Sequence, residues 1–503
     1  MNTLFKPTSY KKGAALAVGA TFVWKTISFA NALLLALYFG ADRQTDVYFY
    51  LIMLLGFGVT FLQRLNQTVL IPEAMFLMQE NEIKSRRFTN MWLYIYMGIG
   101  EVISLTGLLG AEPVWRLLSR FGGPILAQDR VLLTCGFFLF GLQIITYYLI
   151  AVAEMYKFFK TAWLGVLNAV CPLLCLLLLG PKVGIISMIY GFLLANILQI
   201  IVLLILLRTQ LNWRFTPAWV RVRVQTRQNM ITGQTLAILD MFTSWLPLYL
   251  MSAMGAGLVS ALNYCKQFTD STTEVFTSRI ANVAKIEMTQ QTAASQKSAF
   301  DQTFQNNIYG LAAILAPLVV FSCYFAPQIV ELFFKRGHFD MQAVHDTVCF
   351  LRPMLGVLLL GTVGYLQNSA IAAERKIKEW FPYALTSASI LILLMLFFIP
   401  RYGAFSYPYI LGVGLAIGFV LNAFLFKKYF AFINYIRPFW HLLRLTALAG
   451  ISLIPAGLLA GQIPTICWLQ ILVCGFVFVT IYILLLKWTK DLQKLRELVR
   501  NGF

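Results

Sequence analysis

The chain has 503 residues, of which 59% are hydrophobic and 12% charged, with a net charge of +19. Soluble domains carry roughly 25% charged residues, so the composition excludes an ordinary soluble domain and points to an integral membrane protein with room for many spans of about 20 residues. The basic excess lies in short segments between apolar runs, as positive-inside loops do. There is no basic domain with interleaved aromatics, so nucleic acid is excluded as a partner.

In chain order, Lys6, Lys11 and Lys12 precede an apolar run that is longer than a signal-peptide core and lacks a small-x-small cleavage site, so it is expected to stay as a first span. Fourteen spans are predicted, at about 14–39, 47–71, 88–111, 131–153, 161–180, 183–207, 231–254, 257–284, 303–326, 348–372, 381–399, 404–426, 443–461 and 465–487. All are expected to be helices, because a bilayer admits only helices or closed barrels and these runs are too long for barrel strands. Most of the basic residues fall on the side of the N-terminus, so both termini are expected in the cytoplasm. The link 208–230 holds five arginines and no acid. It reads either as an amphipathic segment on anionic lipid or as a solvated basic linker. The outer loop 327–347 is expected to form a short interfacial helix and then turn at Gly337.

The sequence repeats internally. AVAEMYK (151–157) ends the fourth predicted span and IAAERKIK (371–378) the tenth, and aligning Glu154 with Glu374 gives an offset of 220. YFGADRQTDVYF (38–49) precedes span two and MGAGLVSALNY (254–264) precedes span eight, and aligning Gly40 with Gly255 gives 215. The expected organisation is therefore all-α, with a six-span lobe in 1–207, a basic cytoplasmic linker in 208–230, a second six-span lobe in 231–426, and two further spans with a basic tail in 427–503. Parallel repeats of this kind are a transporter architecture, with substrate between the halves.

Polar stripes interrupt several spans. In LNYCKQFTDSTTEVFTSR (262–279), Lys266, Asp270 and Glu274 stand four residues apart, which on an α-helix is one face; Asn263, Gln267 and Thr277 fall on the same stripe. Span one has Thr21, Lys25, Ser28 and Asn31; span two has Thr60, Gln63, Arg64, Asn66 and Gln67; span three has Glu101 and Ser104; span seven has Asp240 and Ser244. Each charge in a span costs roughly 2.5–3.5 kcal/mol on insertion scales. Stripes in five spans point to one shared hydrated cavity, although an intrahelical Lys266–Asp270 pair would explain that helix alone. Lys25, Arg64 and Lys266 suit a phosphate. Asp46, Asp240, Asp270, Glu274 and Arg352 are candidates for coupling or gating. The eight cysteines lie mostly in apolar runs and read as packed free thiols, and three scattered histidines are too few for a metal site.

At these residues the sequence resembles the lipid II flippase family (MurJ/MviN) of the multidrug/oligosaccharidyl-lipid/polysaccharide exporter superfamily. The matching stretches are YFGADRQTDVYF (38–49), LNYCKQF (262–268) and IVELFFKRGHFD (329–340), together with the fourteen-span layout and two six-span lobes. The resemblance implies alternating access, with an undecaprenyl-diphosphate-linked saccharide entering from the cytoplasm and leaving outside, and with the last two spans forming a groove for the lipid tail. It also implies cationic substrate contacts in the first, second and eighth spans. Lys25 matches the first of these and Asn31 stands where the family has a second arginine. Arg64 lies further along span two than the family's arginine, and Lys266 and Gln267 fall on the family's Asp-Arg pair. Asp46 matches its acid in the first outer loop.

The expected function is a flippase for a polyprenyl-diphosphate-linked saccharide, foremost the peptidoglycan precursor lipid II, in the inner membrane of a bacterium. The expected substrate contacts are Lys25, Asn31, Arg64, Gln67, Asn263, Lys266 and Gln267. Membrane lipids and cell-wall synthesis proteins are the further expected partners. No cofactor is expected beyond a coupling monovalent cation or the membrane potential. The alternatives are an exopolysaccharide or O-antigen unit as cargo, and a cation-coupled drug exporter, whose site would favour acids and aromatics. An enzyme is disfavoured, because no outer loop is long and no histidine sits in a span core.

Overall fold

The hydrophobic runs build helices and, among the described residues, nothing but helices and their connections. A computed structural model of the chain describes residues 10–220, 224–463 and 466–500. Lys6 and the middle of the basic link, 221–223, lie outside the described residues, as do the side chains of Lys11 and Lys12. The chain divides into two compact units, Met1–Ser260 and Ala261–Phe503.

The first unit contains α1 (Tyr10–Phe39), α2 (Arg43–Leu65), α3 (Ile71–Glu80), α4 (Glu82–Leu118), α5 (Gly123–Gln128), α6 (Arg130–Met155), α7 (Leu167–Val183), α8 (Ile186–Leu211) and α9 (Val224–Met251). α2 starts with a capping box: the Asp42 carboxylate accepts from the Thr45 amide at 2.8 Å, and the Asp42 amide donates to the Thr45 hydroxyl at 2.8 Å, which satisfies two amides that the helix itself leaves orphaned. A π turn, Asn66–Leu70, carries α2 into α3.

The helix α4 runs to Leu118, past the expected loop start, with a kink at Gly110. Pro113 follows the kink, where a proline sits in the first turn of the second helical piece and removes no hydrogen bond. That second piece is held by Tyr50 of α2, whose hydroxyl donates to the Leu118 carbonyl, and by Trp245 of α9, whose Nε1 donates to the Tyr50 oxygen at 3.0 Å. α4 and α6 meet at two glycines: a Cβ on Gly141 would lie 2.6 Å from the Gly100 carbonyl and 2.7 Å from the Ser104 hydroxyl.

Along 212–220 the basic link is irregular and largely exposed. Asn212 takes a left-handed conformation at φ 46° and ends α8. The chain then runs without helix to 220, pinned to α4. Buried Trp213 donates from Nε1 to the Asn90 Oδ1 at 2.7 Å, and the Asn90 amide donates to the carbonyls of Arg214 (2.8 Å) and Thr216 (3.0 Å). One asparagine thus uses acceptor and both donors, a pairing that arginine counting does not reveal.

The helix α10 (Leu258–Thr272) begins in the first unit and continues in the second, and a second π turn, Thr273–Ser278, carries it into α11 (Arg279–Ala293). There follow α12 (Lys297–Tyr324), α13 (Ala326–Phe334), α14 (Met341–Ala373), α15 (Ile377–Tyr402), α16 (Tyr407–Tyr429), α17 (Arg437–Ala460), α18 (Cys467–Trp488) and α19 (Asp491–Arg500). α13 is the expected short helix after span nine, and Gly337 turns at φ 59° just beyond it. At the other end, α19 is stapled back by Asp491. This carboxylate is 5% exposed and takes Arg444 at 2.8 Å, the Tyr309 hydroxyl at 2.8 Å and the Thr489 hydroxyl at 2.7 Å.

Twelve helices among the described residues are long and apolar enough to cross a membrane, not fourteen. The expected spans at 231–254 and 257–284 make the difference. The first lies within the 28-residue α9, whose side chains are described only in part, and the second is the helical run from α10 through α11, which carries the polar stripe and the second π turn. The repeat is visible in the backbone. Gly40, Lys157 and Gly184 take positive φ, and so do Gly257, Arg375 and Gly403, at separations of 217, 218 and 219 residues. At the middle pair the same turn closes both helices, with the Phe158 amide on the Ala153 carbonyl and the Lys376 amide on the Ile371 carbonyl, the long bond of a Schellman motif.

Overpacking a tight helix crossing costs about 1–3 kcal/mol. Gly141→Val is therefore expected to lower the thermal unfolding temperature of the detergent-purified protein, whereas Gly98→Ala, with nothing within 4 Å of the added carbon, leaves it unchanged. Equal melting of both variants would refute the tight α4–α6 contact.

Candidate functional site

In the first unit the expected site residues separate into two kinds. Asn31 is 6% exposed, and its Nδ2 donates to the Ala169 carbonyl of α7 at 2.9 Å. It anchors α1 to α7. Lys25, further back on α1, is half-buried with its ammonium 4.7 Å above the Trp24 ring, a cation–π distance. Asn66 is likewise buried and accepts from the Tyr96 hydroxyl at 2.9 Å, while Gln67, one residue on in the π turn, is exposed. A π turn holds one extra residue and so rotates the rest of the helix by about 100° relative to α-helical register, which separates neighbours that a helical wheel would group.

Arg64 and Asp240 face each other from α2 and α9, with Arg64 Nη1 2.5 Å from Asp240 Oδ2. Their side chains are 47% and 60% exposed. An ion pair so open to its surroundings is worth about 0–1 kcal/mol. Asp240 is thus a partner of Arg64, a pairing that the sequence leaves invisible across 176 residues.

Asp46 is the opposite case. It is fully buried at the first turn of α2, and it accepts three hydrogen bonds from the turn that begins α10: the Gly257 amide at 2.7 Å, the Ser260 amide at 2.8 Å and the Ser260 hydroxyl at 2.8 Å. Gly257 must be glycine, since its φ is +85° and a Cβ would lie 2.6 Å from the Ala41 carbonyl. Arg43 adds a bond from Nη2 to the Met254 carbonyl at 2.9 Å. The two repeat-related turns, before α2 and before α10, are thus tied together by one carboxylate. Ser260 and Gly257 were not among the expected site residues; the signal was their place in the stretch that repeats the one containing Asp46.

In the second unit, Lys266 on α10 is half-buried and lies within electrostatic reach of Asp270 on its own helix and of the Tyr407 ring on α16. Gln267 donates to Asn263 at 3.4 Å, a long bond along the same helix. Asn263 is 8% exposed and Asp270 is exposed. Glu274 and Thr277 fall in the π turn 273–278, so the α-helical register that put them on the stripe of Lys266 does not hold there; Thr277 is buried. Arg352 is exposed on α14, with its Nε donating to the Cys323 carbonyl at 3.2 Å.

Compared with known proteins, the family described as lipid II flippase MurJ matches residues 35–482. No curated protein matches the chain by sequence. Among solved structures, a lipid II flippase MurJ in an inward closed conformation is similar with a TM-score of 0.78 and 16% identity, covering 94% of this chain and 99% of that one. An inward-facing multidrug resistance MATE family transporter of the MOP superfamily is similar with a TM-score of 0.66 and 11% identity, covering 86% and 98%. At these identities the two structures speak for the fold alone.

Hydrogen bonds to a charged group are worth roughly 1.5–3 kcal/mol each. Asp46→Ala is therefore expected to lower the unfolding temperature well beyond Ser260→Ala, which leaves both backbone donors in place. Thermal unfolding in one detergent compares them, and indistinguishable shifts would show that the carboxylate is not what holds the turn.

Proposed function

The chain belongs to the lipid II flippase MurJ family, and from that premise we propose how its own residues carry the head group across. It is a multi-pass membrane protein that moves lipid II, a polyprenyl-linked saccharide, between leaflets. The observation that carries this function is the family match across 35–482, which favours lipid II over an exopolysaccharide or O-antigen unit as cargo. We place the protein in the inner membrane of a bacterium with both termini in the cytoplasm, as the basic residues on the N-terminal side suggest.

A free diphosphate in hydrocarbon costs tens of kcal/mol by Born arguments. The protein's task is to host that charge while the isoprenoid tail stays in lipid. We assign Lys25, Arg64 and Lys266 to the diphosphate, as three cations on membrane-spanning helices. Arg64 supplies a planar fork able to take two phosphate oxygens, while the two lysines supply point charges. Before cargo arrives Arg64 rests on Asp240; the diphosphate displaces that carboxylate, and departure of the cargo lets the pair re-form. Asp46 acts as the latch of the outer face, because its three bonds must break before the turns preceding α2 and α10 can part.

The resting potential favours outward movement of an anion by about 2.3 kcal/mol per charge per 100 mV. We propose that the potential, or a monovalent cation meeting Asp240, Asp270 or Glu274, returns the empty carrier. Collapsing the potential with an ionophore is expected to slow lipid II export; an unchanged rate would rule out that drive.

Depletion of the protein, followed by an external enzyme that cleaves only outward-facing lipid II, tests the function: lipid II is expected to become protected inside intact cells. Normal export together with accumulation of another lipid-linked saccharide would replace the cargo. In the same assay the double variant Lys25→Gln, Lys266→Gln is expected to reduce export at least tenfold at normal protein level, and Lys→Arg changes to retain it. Full export by the double glutamine variant would remove the diphosphate role.

A further inference from the structure

Within the second unit a cavity of about 770 Å³ lies among the ends of α12, α13, α17 and α18, beside α14. Its level in the membrane is set by the chain: Tyr324 ends α12, Gln328 belongs to α13, Ala460 ends α17 and Gln470 opens α18. All of these helix ends lie opposite the end of α18 that leads into α19. With the C-terminal tail in the cytoplasm, this is the outer-leaflet end, a placement that rests on the orientation proposed above.

The chemistry of the wall is lopsided. Arg352 supplies a positive charge, and the only described bond of its side chain is from Nε to the Cys323 carbonyl, which leaves its remaining N–H donors for a ligand. Among the described residues no carboxylate pairs with it, and no acid lines the cavity. Gln328 has a buried Oε1 with no hydrogen-bond partner, a position that costs free energy until a donor meets it. Gln470, by contrast, is already engaged, donating to the Ala460 carbonyl at 3.3 Å. The rest of the wall is largely carbon, from residues such as Val320 and Leu453. Arg352 also borders a second cavity of about 460 Å³, but the unpartnered Oε1 of Gln328 belongs to the first.

We propose that this cavity binds the head group of an outer-leaflet anionic phospholipid, with the phosphodiester on Arg352 and a head-group hydroxyl donating to Gln328. A free inorganic anion would leave the apolar wall uncovered. A head group with an ammonium would find no carboxylate. A hydroxyl-bearing phosphodiester with acyl chains answers every side of the wall: charge, donor and hydrocarbon. The cargo's own diphosphate shares the anionic chemistry but lacks the hydroxyl beside the phosphate when presented as undecaprenyl diphosphate, which separates the two sources.

The test uses the full-length protein, delipidated in detergent and titrated with palmitoyl-oleoyl phosphatidylglycerol, the matching phosphatidylcholine, or undecaprenyl diphosphate, with bound lipids counted by native mass spectrometry. Wild type is expected to bind phosphatidylglycerol more tightly than phosphatidylcholine, and Arg352→Gln to weaken the first phosphatidylglycerol about tenfold, equivalent to about 1.4 kcal/mol, with Arg352→Lys weakening it less. Gln328→Leu, which keeps the charge and the packing, is expected to weaken phosphatidylglycerol about threefold, so that the proposal stays open to refutation if Arg352→Gln fails to fold. Wild-type affinity in Arg352→Gln, or in Gln328→Leu, would overturn it. Displacement of phosphatidylglycerol by an equal amount of undecaprenyl diphosphate, dependent on Arg352, would also overturn it by assigning the cavity to the cargo. Because these are binding measurements, they stand apart from the lipid II export assay, whose failure would change the cargo and leave this site untouched.

Discussion

Hydrocarbon offers no hydrogen bonds, so every polar group that this chain carries into a membrane must be answered by the chain itself or by something it is built to bind. The backbone meets the demand by being helical. The side chains meet it one by one. Asp46 is answered three times by a neighbouring turn, Asn31 by a carbonyl of α7, Asn90 and Trp213 by each other and by the strap that follows α8, and Asp491 by an arginine and two hydroxyls. Pairing lowers the cost of these groups, although Asn31 keeps a buried Oδ1 without a partner, and each pairing fixes where one helix lies against another.

Other charged groups are left more open. Arg64 and Asp240 pair, yet about half of each side chain stays exposed. A fully buried pair would be locked, because removing either partner would strand a charge; a half-open pair exchanges partners readily. The π turns lie on the same polar helices, one just after Arg64 and one just after Asp270. Each breaks the α-helical register at the point where the polar stripe passes, so that buried Asn66 and exposed Gln67 are adjacent in sequence yet differ in environment.

The duplicated organisation is visible in the turns that Asp46 ties together. Two related stretches precede α2 and α10, each with a left-handed glycine, Gly40 and Gly257. One copy carries the carboxylate and the other presents the donors. The two copies of one turn are joined by an asymmetric residue pair, Asp46 with Ser260. The later pairs, Lys157 with Arg375 and Gly184 with Gly403, mark the ends of equivalent helices.

Much of this is legible in the residues. Apolar runs of span length, basic links on one side, two echoes of one sequence and charged stripes on the spans are sufficient for an all-helical, duplicated membrane carrier and for a family. These features are periodic or compositional, and they depend on local physics: desolvation of side chains, the 3.6-residue repeat and the charge bias of membrane insertion. The alignment of Gly40 with Gly255 is two residues off the backbone match to Gly257, because letters match less sharply than dihedrals, and P-K-V-G (181–184) with P-R-Y-G (400–403) is a further echo that the backbone brings out. The partners are out of reach. That Arg64 meets Asp240, that Asn31 is consumed by α7, that Glu274 falls in a π turn and that 212–220 is a strap all depend on contacts between residues far apart in the chain or on a single inserted residue in a helix. By itself the sequence determined which segments enter the membrane and which charges they carry, because transfer from water is a property of each segment alone. Only the tertiary structure decided which of those charges are held fast and which can exchange partners, because pairing is a property of two segments at once.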